Sequence, residues 1–150
     1  LSHGAQLAVL GTGDPALERG LAAAAAANPG QVATVIGFDE PLAHAMQAGA
    51  DALLVPSRFE PCGLVQMSAL RYGALPIVSR TAGLAAGVAT GITFTSVTPA
   101  GLQGAIARAA ALWSRPSDWA QTQRNGMRTE VGWSAPAKAY AALYKQVVQA

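Results

Sequence analysis

The sequence predicts an α/β fold with a doubly wound, Rossmann-like parallel sheet, on three observations. Apolar runs of strand length alternate with helix-patterned segments, and these runs lack the strict polar alternation of a half-solvated sheet. The composition, 51% hydrophobic and 12% charged, is that of a well-buried chain rather than a disordered one. Taken in order, Leu7 to Gly11 reads as a strand, and Pro15 to Ala27 as a helix capped by Asp14. Val32 to Gly37 reads as the second strand and Glu40 to Ala48 as the second helix. Ala52 to Val55 is a short buried strand, and the helix after it, Gly63 to Tyr72, has Leu64, Met67, Leu70 and Arg71 on neighbouring turns. Leu75 to Ser79 is the next strand, followed by a loop to Leu84 and a short strand Ile92 to Phe94. The carboxyl third is helical, over Pro99 to Trp113, Ser117 to Asn125 and Ala135 to Val148. There Pro99 suits a first helical turn, Ser117 and Ser134 suit N-caps, and Gly126 suits a C-terminal stop. A regular strand-helix-strand order makes the sheet parallel.

At 150 residues the chain is the size of one domain and can bury a core. The formal net charge is +2, and the ten Lys and Arg residues are scattered with no run that would track phosphates, which argues against nucleic acid as a partner. Cys62 is the single cysteine, so no internal disulfide forms and no second Cys stands at metal-ligand spacing; this suits a reducing cytoplasm. No apolar run reaches the roughly 18 residues a membrane helix needs, and no membrane is expected. The alanine-rich block Leu21 to Ala27 reads as a surface or half-buried helix. The chain starts at Leu1 without a Met or a signal-peptide pattern, as a fragment of something longer would.

Chemistry concentrates in Pro56-Ser57-Arg58-Phe59-Glu60-Pro61-Cys62-Gly63-Leu64, which sets a carboxylate, a thiol and a glycine turn between an apolar strand and a helix. In an α/β sheet that junction is where ligands bind. Glu60 can accept two sugar hydroxyls in a charge-assisted pair, or it can be a helix N-terminal carboxylate favoured by the macrodipole. The glycine lets backbone approach a ligand closely, and the free N–H groups of a first helical turn can donate to an anion or a hydroxyl oxygen. Arg80-Thr81-Ala82-Gly83-Leu84 follows the next strand and should lie alongside on the same edge. Phe38, at the end of the second strand, reads by itself as a plain core side chain. Gly11-Thr12-Gly13-Asp14 lacks the full dinucleotide fingerprint, so a Rossmann dehydrogenase is not supported. His44, Asp51 and Arg58 are read as architecture, and Cys62 as a packed apolar filler rather than a nucleophile.

The nonapeptide closely resembles the bacterial glycogen synthase and starch synthase family. The likeness extends through Gly37-Phe38-Asp39-Glu40, Leu42-Ala43-His44, Ala48-Gly49-Ala50-Asp51, Leu70-Arg71-Tyr72-Gly73 and Arg80-Thr81-Ala82-Gly83-Leu84-Ala85, and resumes at Ala89-Thr90-Gly91 and Gln123-Arg124-Asn125-Gly126-Met127. The resemblance implies the second domain of a GT-B type glycosyltransferase, in which two Rossmann-like domains flank the active site. Residues 1–150 would then be the C-terminal nucleotide-sugar-binding domain, lacking its N-terminal strand and that strand's Arg and Lys, with the acceptor-side domain elsewhere. It further implies retaining transfer of glucose from ADP-glucose to the non-reducing end of an α-1,4-glucan, in the cytoplasm, with no cofactor and no metal. Glu60 would hold the transferred glucose. Cys62, Gly63 and Leu64 would lie along the donor sugar, Phe38 under the base, Gly13 beside the nucleotide, and Thr81, Gly83 and Leu84 at the phosphates.

Two departures from the family pattern stand out. Ala82 replaces a usual glycine, which would be strained by about 1 kcal/mol or more if that position needs a positive φ. Family members also carry additional residues between the counterparts of Ala85 and Ala89. The residues on their own are expected to be catalytically inactive. A stand-alone nucleotide-sugar-binding or assembly module is the alternative, favoured if the reading frame itself begins near Leu1. Sucrose- or trehalose-related transferases usually carry a second glutamate where this chain has Ser68.

Overall fold

A computed structural model describes residues 4–80 and 90–149. Five strands and six helices occur in the order β1 (Leu7–Gly11), α1 (Pro15–Ala27), β2 (Val32–Ile36), α2 (Glu40–Gly49), β3 (Ala52–Val55), α3 (Leu64–Tyr72), β4 (Leu75–Ser79), β5 (Ile92–Phe94), α4 (Pro99–Trp113), α5 (Pro116–Arg128) and α6 (Ser134–Val148). Every strand pairing is parallel, as the alternation of elements requires.

The sheet is in two parts among the described residues. β1 pairs with β2, Leu7 opposite Val32, and β3, β4 and β5 form a second sheet with Leu54 opposite Ile77 and Ile77 opposite Ile92. Each of β1 and β3 therefore uses one edge only.

The core sits in the second sheet. All five residues of β4 are buried, and Val55, Ala69, Leu70, Ala74, Phe94, Ala105, Ala109 and Trp119 close around them. Helices α3, α4 and α5 pack on β4. Each large apolar side chain removed from water there contributes roughly 1.5–3 kcal/mol. Strands β1 and β2, in contrast, hold no buried residue, and their one packed helix is α1. The expectation of helices on both faces thus holds for β4 and not for the β1–β2 pair.

Capping differs from the sequence reading in three places. Asp14 does cap α1, its Oδ1 accepting the Ala16 N–H at 2.7 Å and the Leu17 N–H at 3.2 Å. Ser117 and Ser134, however, lie inside α5 and α6, whose caps are Arg115 and Trp133. A proline at the first position of α5 sets the start two residues earlier than a cap at Ser117 would. Gly126 does not stop α5, which runs on to Arg128. It is buried against α3, where an added Cβ would stand 2.9 Å from Leu70 Cδ2.

Candidate functional site

The carboxyl ends of β1 and β2 form one rim. The loop 11–13 leaves β1 and folds onto the first turn of α1, where the Gly13 N–H and the Thr12 hydroxyl both donate to Glu18 Oε1 at 2.8 Å. These two donors, the Gly13 amide foremost, hold the Glu18 carboxyl below the ordinary glutamate range. On the neighbouring strand end the Gly37 N–H donates to the Gly11 carbonyl at 3.1 Å, and Phe38 follows with 89% of its surface open. Phe38 is accordingly not a core side chain. Its ring has a free face at the same rim as the Gly13 loop.

The carboxyl ends of β3, β4 and β5 form the other rim. The 56–63 loop rises from β3 and enters α3 at Gly63, a buried residue with φ +71° and ψ +36°. A side chain there would be strained, which is the local reason for glycine. Half-buried Glu60 reaches back to this turn, its Oε1 accepting the Gly63 N–H at 3.0 Å. The carboxylate therefore does occupy a helix N-terminal position, and its second oxygen, Oε2, has no protein donor among the described residues. Buried Ser79, the last residue of β4, donates its hydroxyl to the Ser57 carbonyl and ties the loop to the central strand.

Around Glu60 the surface is apolar and open: Phe59 is 83% and Leu64 67% exposed. Cys62 is exposed as well, which corrects the expectation of a packed filler. It lies on the bend ahead of α3, where the buried side of the turn is taken by Gly63 and the thiol is left outside. Beside this loop, a cleft of about 460 Å³ is lined by Arg80, Phe94, Thr95, Ser96 and Arg108, and Arg108 is fixed by bonds to the Gly104 and Thr93 carbonyls. That cleft includes neither Glu60 nor Phe38.

The expected donor-site residues fall in three groups. Gly13 and Phe38 share the first rim, and Glu60, Cys62, Gly63 and Leu64 share the second. Thr81, Gly83 and Leu84 lie outside the described residues, as do Ala82 and all of the Ala85 to Ala89 stretch. His44 is architecture as expected, its Nδ1 3.2 Å from the Tyr72 hydroxyl in a link between α2 and α3. Asp51 and Arg58 form no ion pair with each other; Arg115 and Asp118 make the one ion pair among the described residues. Three contributors were missed. Ser79 is signalled by a hydroxyl ending an otherwise apolar strand, and Glu18 by an acidic residue one turn after a capping aspartate. Gln66, 2% exposed on α3, had no such signal, and its Oε1 has no partner among the described residues.

The fold and these rims define an open parallel α/β domain whose polar groups gather at the carboxyl ends of its strands, the edge at which such sheets hold ligands. The chain belongs to the family described as glycosyl transferases group 1, which matches residues 2–112. It is 54% identical to a glycogen synthase of Rhodopseudomonas palustris over all of this chain and 34% of that protein, and 53% identical to a glycogen synthase of Acidiphilium cryptum over 96% of this chain and 33% of that one. The first alignment extends over 162 positions, twelve more than this chain has residues, so that relative carries inserted residues. Among solved structures, the catalytic domain of starch synthase IV from Arabidopsis thaliana, bound to ADP and acarbose, superposes with a TM-score of 0.88 at 29% identity, covering 99% of this chain and 34% of that one. The chain thus spans about a third of the length of the curated relatives it matches. Among the described residues no helix is long and apolar enough to cross a membrane.

Proposed function

We propose that these residues are the donor-side domain of a retaining glucosyltransferase that moves glucose from ADP-glucose to the non-reducing end of an α-1,4-glucan. The observation that carries this is Glu60, held at the carboxyl end of β3 by one oxygen, with the other oxygen free of protein donors among the described residues. An ionised oxygen in that position accepts hydroxyls of a hexose and fixes the sugar while its anomeric carbon reacts. The likeness to an ADP-bound starch synthase catalytic domain supports the choice of nucleotide.

In this assignment Gly63 and Leu64 present backbone to the donor sugar, with Cys62 beside them. Phe38 stacks on the adenine, a contact worth roughly 1–3 kcal/mol per base elsewhere. Gly13 borders the nucleotide, and Thr81, Gly83 and Leu84 face the diphosphate. Transfer needs no cofactor and no metal, because cationic side chains and helix ends stabilise the departing diphosphate. Configuration is kept by attack from the same face, with the leaving phosphate drawing the proton from the acceptor hydroxyl. The glucan is bound by a second domain outside residues 1–150. That part of the protein also supplies a strand between β1 and β3, whose open edges match the reversal of strand order in a doubly wound sheet. The unpaired cysteine suits a cytoplasmic location.

The test is glucan extension from labelled ADP-glucose by the protein as its gene encodes it, comparing wild type with Glu60→Gln. Glutamine keeps an acceptor for the Gly63 N–H but removes the charge. Turnover is expected to fall on the order of 10²-fold or more, with ADP affinity by calorimetry little changed. Unaltered turnover would remove Glu60 from the site.

A further inference from the structure

The cleft beside the Glu60 loop carries charge that the assigned donor site does not use. It opens at the carboxyl ends of β4 and β5, where Arg80 follows Ser79 and where Thr95 and Ser96 follow Phe94, with α4 as its other wall. Two arginines line it and no carboxylate does. Arg108 is set in place by neutral partners, its Nη1 donating to the Gly104 carbonyl at 3.2 Å and its Nη2 to the Thr93 carbonyl at 2.8 Å. Carbonyls fix the guanidinium without cancelling its charge, and three of its five N–H groups have no acceptor among the described residues. Arg80 is anchored through its backbone, whose N–H donates to the Phe94 carbonyl at 2.8 Å, and it forms no ion pair among the described residues. The walls are equally settled. Phe94 is 6% exposed, and α4 lies so close to the 95–98 loop that a Cβ on Gly101 would collide with the Ser96 carbonyl. The Gly101 N–H in the first turn of α4 is already given to Thr98 Oγ1 at 3.2 Å, so the arginines rather than the helix end supply the attraction.

We propose that this cleft is a second anion site, separate from the donor crevice, that takes a soluble phosphate monoester with a small hydroxylated frame. Such a monoester carries about −1.5 to −2 charge at neutral pH, which matches two arginines, and its oxygens accept the forked N–H groups of a held guanidinium in pairs. The Thr95 and Ser96 hydroxyls line the same cleft and can serve the remaining oxygens or the hydroxyls of the frame. At about 460 Å³ the cleft falls in the range of roughly 300–1,000 Å³ that small-molecule sites occupy. A nucleic-acid backbone is a poorer occupant, because it needs a stripe of cations and the Lys and Arg residues of this chain are scattered. The donor is a different ligand, assigned to groups around Glu60 and Phe38, neither of which lines the cleft. Arg80 does, however, immediately precede Thr81, which is assigned to the donor diphosphate, so competition with ADP is the deciding measurement. The site itself is independent of the assigned transfer reaction.

Calorimetric titration of the protein as its gene encodes it with glycerol 3-phosphate, with and without saturating ADP, tests this. Inorganic phosphate and glycerol are titrated alongside as the two halves of the probe. The expected result is saturable binding of the monoester, weaker binding of phosphate, none of glycerol, and a monoester affinity unchanged by ADP. Arg80→Gln and Arg108→Gln are each expected to weaken the monoester about tenfold or more. Arg108 also ties α4 to β5, so its variant can loosen the fold; Arg80→Gln removes no side-chain hydrogen bond among the described residues and keeps the test decisive. Displacement of the probe by ADP would hand the cleft to the donor and overturn the proposal. So would full affinity in Arg80→Gln, or no saturation by about 10 mM probe. Phosphate or glycerol binding as tightly as the monoester would reject the stated ligand class. ADP-independent binding in a protein without glucosyltransferase activity would reject the assigned reaction and leave this site standing, whereas an active enzyme that ignores the probe would do the reverse.

Discussion

Glu60 has two oxygens with different duties. One accepts from Gly63 and shapes the entry to α3; the other has no protein donor among the described residues. The two meanings offered by its sequence position, helix-end carboxylate and sugar acceptor, are therefore compatible, and a single side chain can serve both. Glu18 does the analogous job at the first rim, where it organises the Gly13 loop. Its folded pKa lies below its unfolded one. It therefore supports the loop at pH above the unfolded glutamate value of about 4.3 and loses that contribution as pH falls through the lower folded value. Exchange of the Gly13 amide, followed by NMR from neutral to acid pH, is expected to accelerate across that acid window and to show no corresponding change on the alkaline side. Glu18→Gln should remove the step. Neither bond was legible beforehand in full. The capping role of Asp14 could be read from its place before a helix, but the reach of Glu18 back to residues 12 and 13 depends on how the loop folds.

At the scale of elements, strands and helices were legible nearly to the residue, because apolar runs and caps are local signals. β1, α1, β3, β4, β5 and α4 have the expected bounds. The start of α5 was misplaced for a local reason, the proline at its first position, whereas two other misreadings turn on tertiary surroundings. Gly126 looked like a helix stop and is instead packed against Leu70 of α3. Gly126→Ala is expected to destabilise the protein by about 1–3 kcal/mol, since Leu70 is buried and cannot swing aside. Urea denaturation should show a lower midpoint at unchanged slope. A neutral result would mean that α5 shifts to admit the methyl group. Cys62 was misjudged for a related reason. Burial of a small thiol is a statement about what surrounds it, and here the inside of the bend belongs to Gly63.

At the scale of the whole molecule, the open features lie together in meaning. Among the described residues the sheet is in two parts, Phe38, Phe59 and Leu64 are exposed at the rims and α6 is uncovered. Residues 1–150 alone, given ADP-glucose and glycogen, are expected to show no glucan extension by release of ADP or gain of label. Measurable turnover would place the acceptor site within these residues and refute the division into two domains. The sequence by itself determined the parallel α/β class, the order of elements, the kinship with glycogen and starch synthases and the loop that holds Glu60, because hydrophobic period, caps and short motifs are written along the chain. Only the tertiary structure decided which glycine packs rather than turns, which oxygen of Glu60 is free, that β4 alone is covered on all sides, and that α6 is left bare. Those outcomes depend on residues distant in sequence meeting in space, and no local pattern records them.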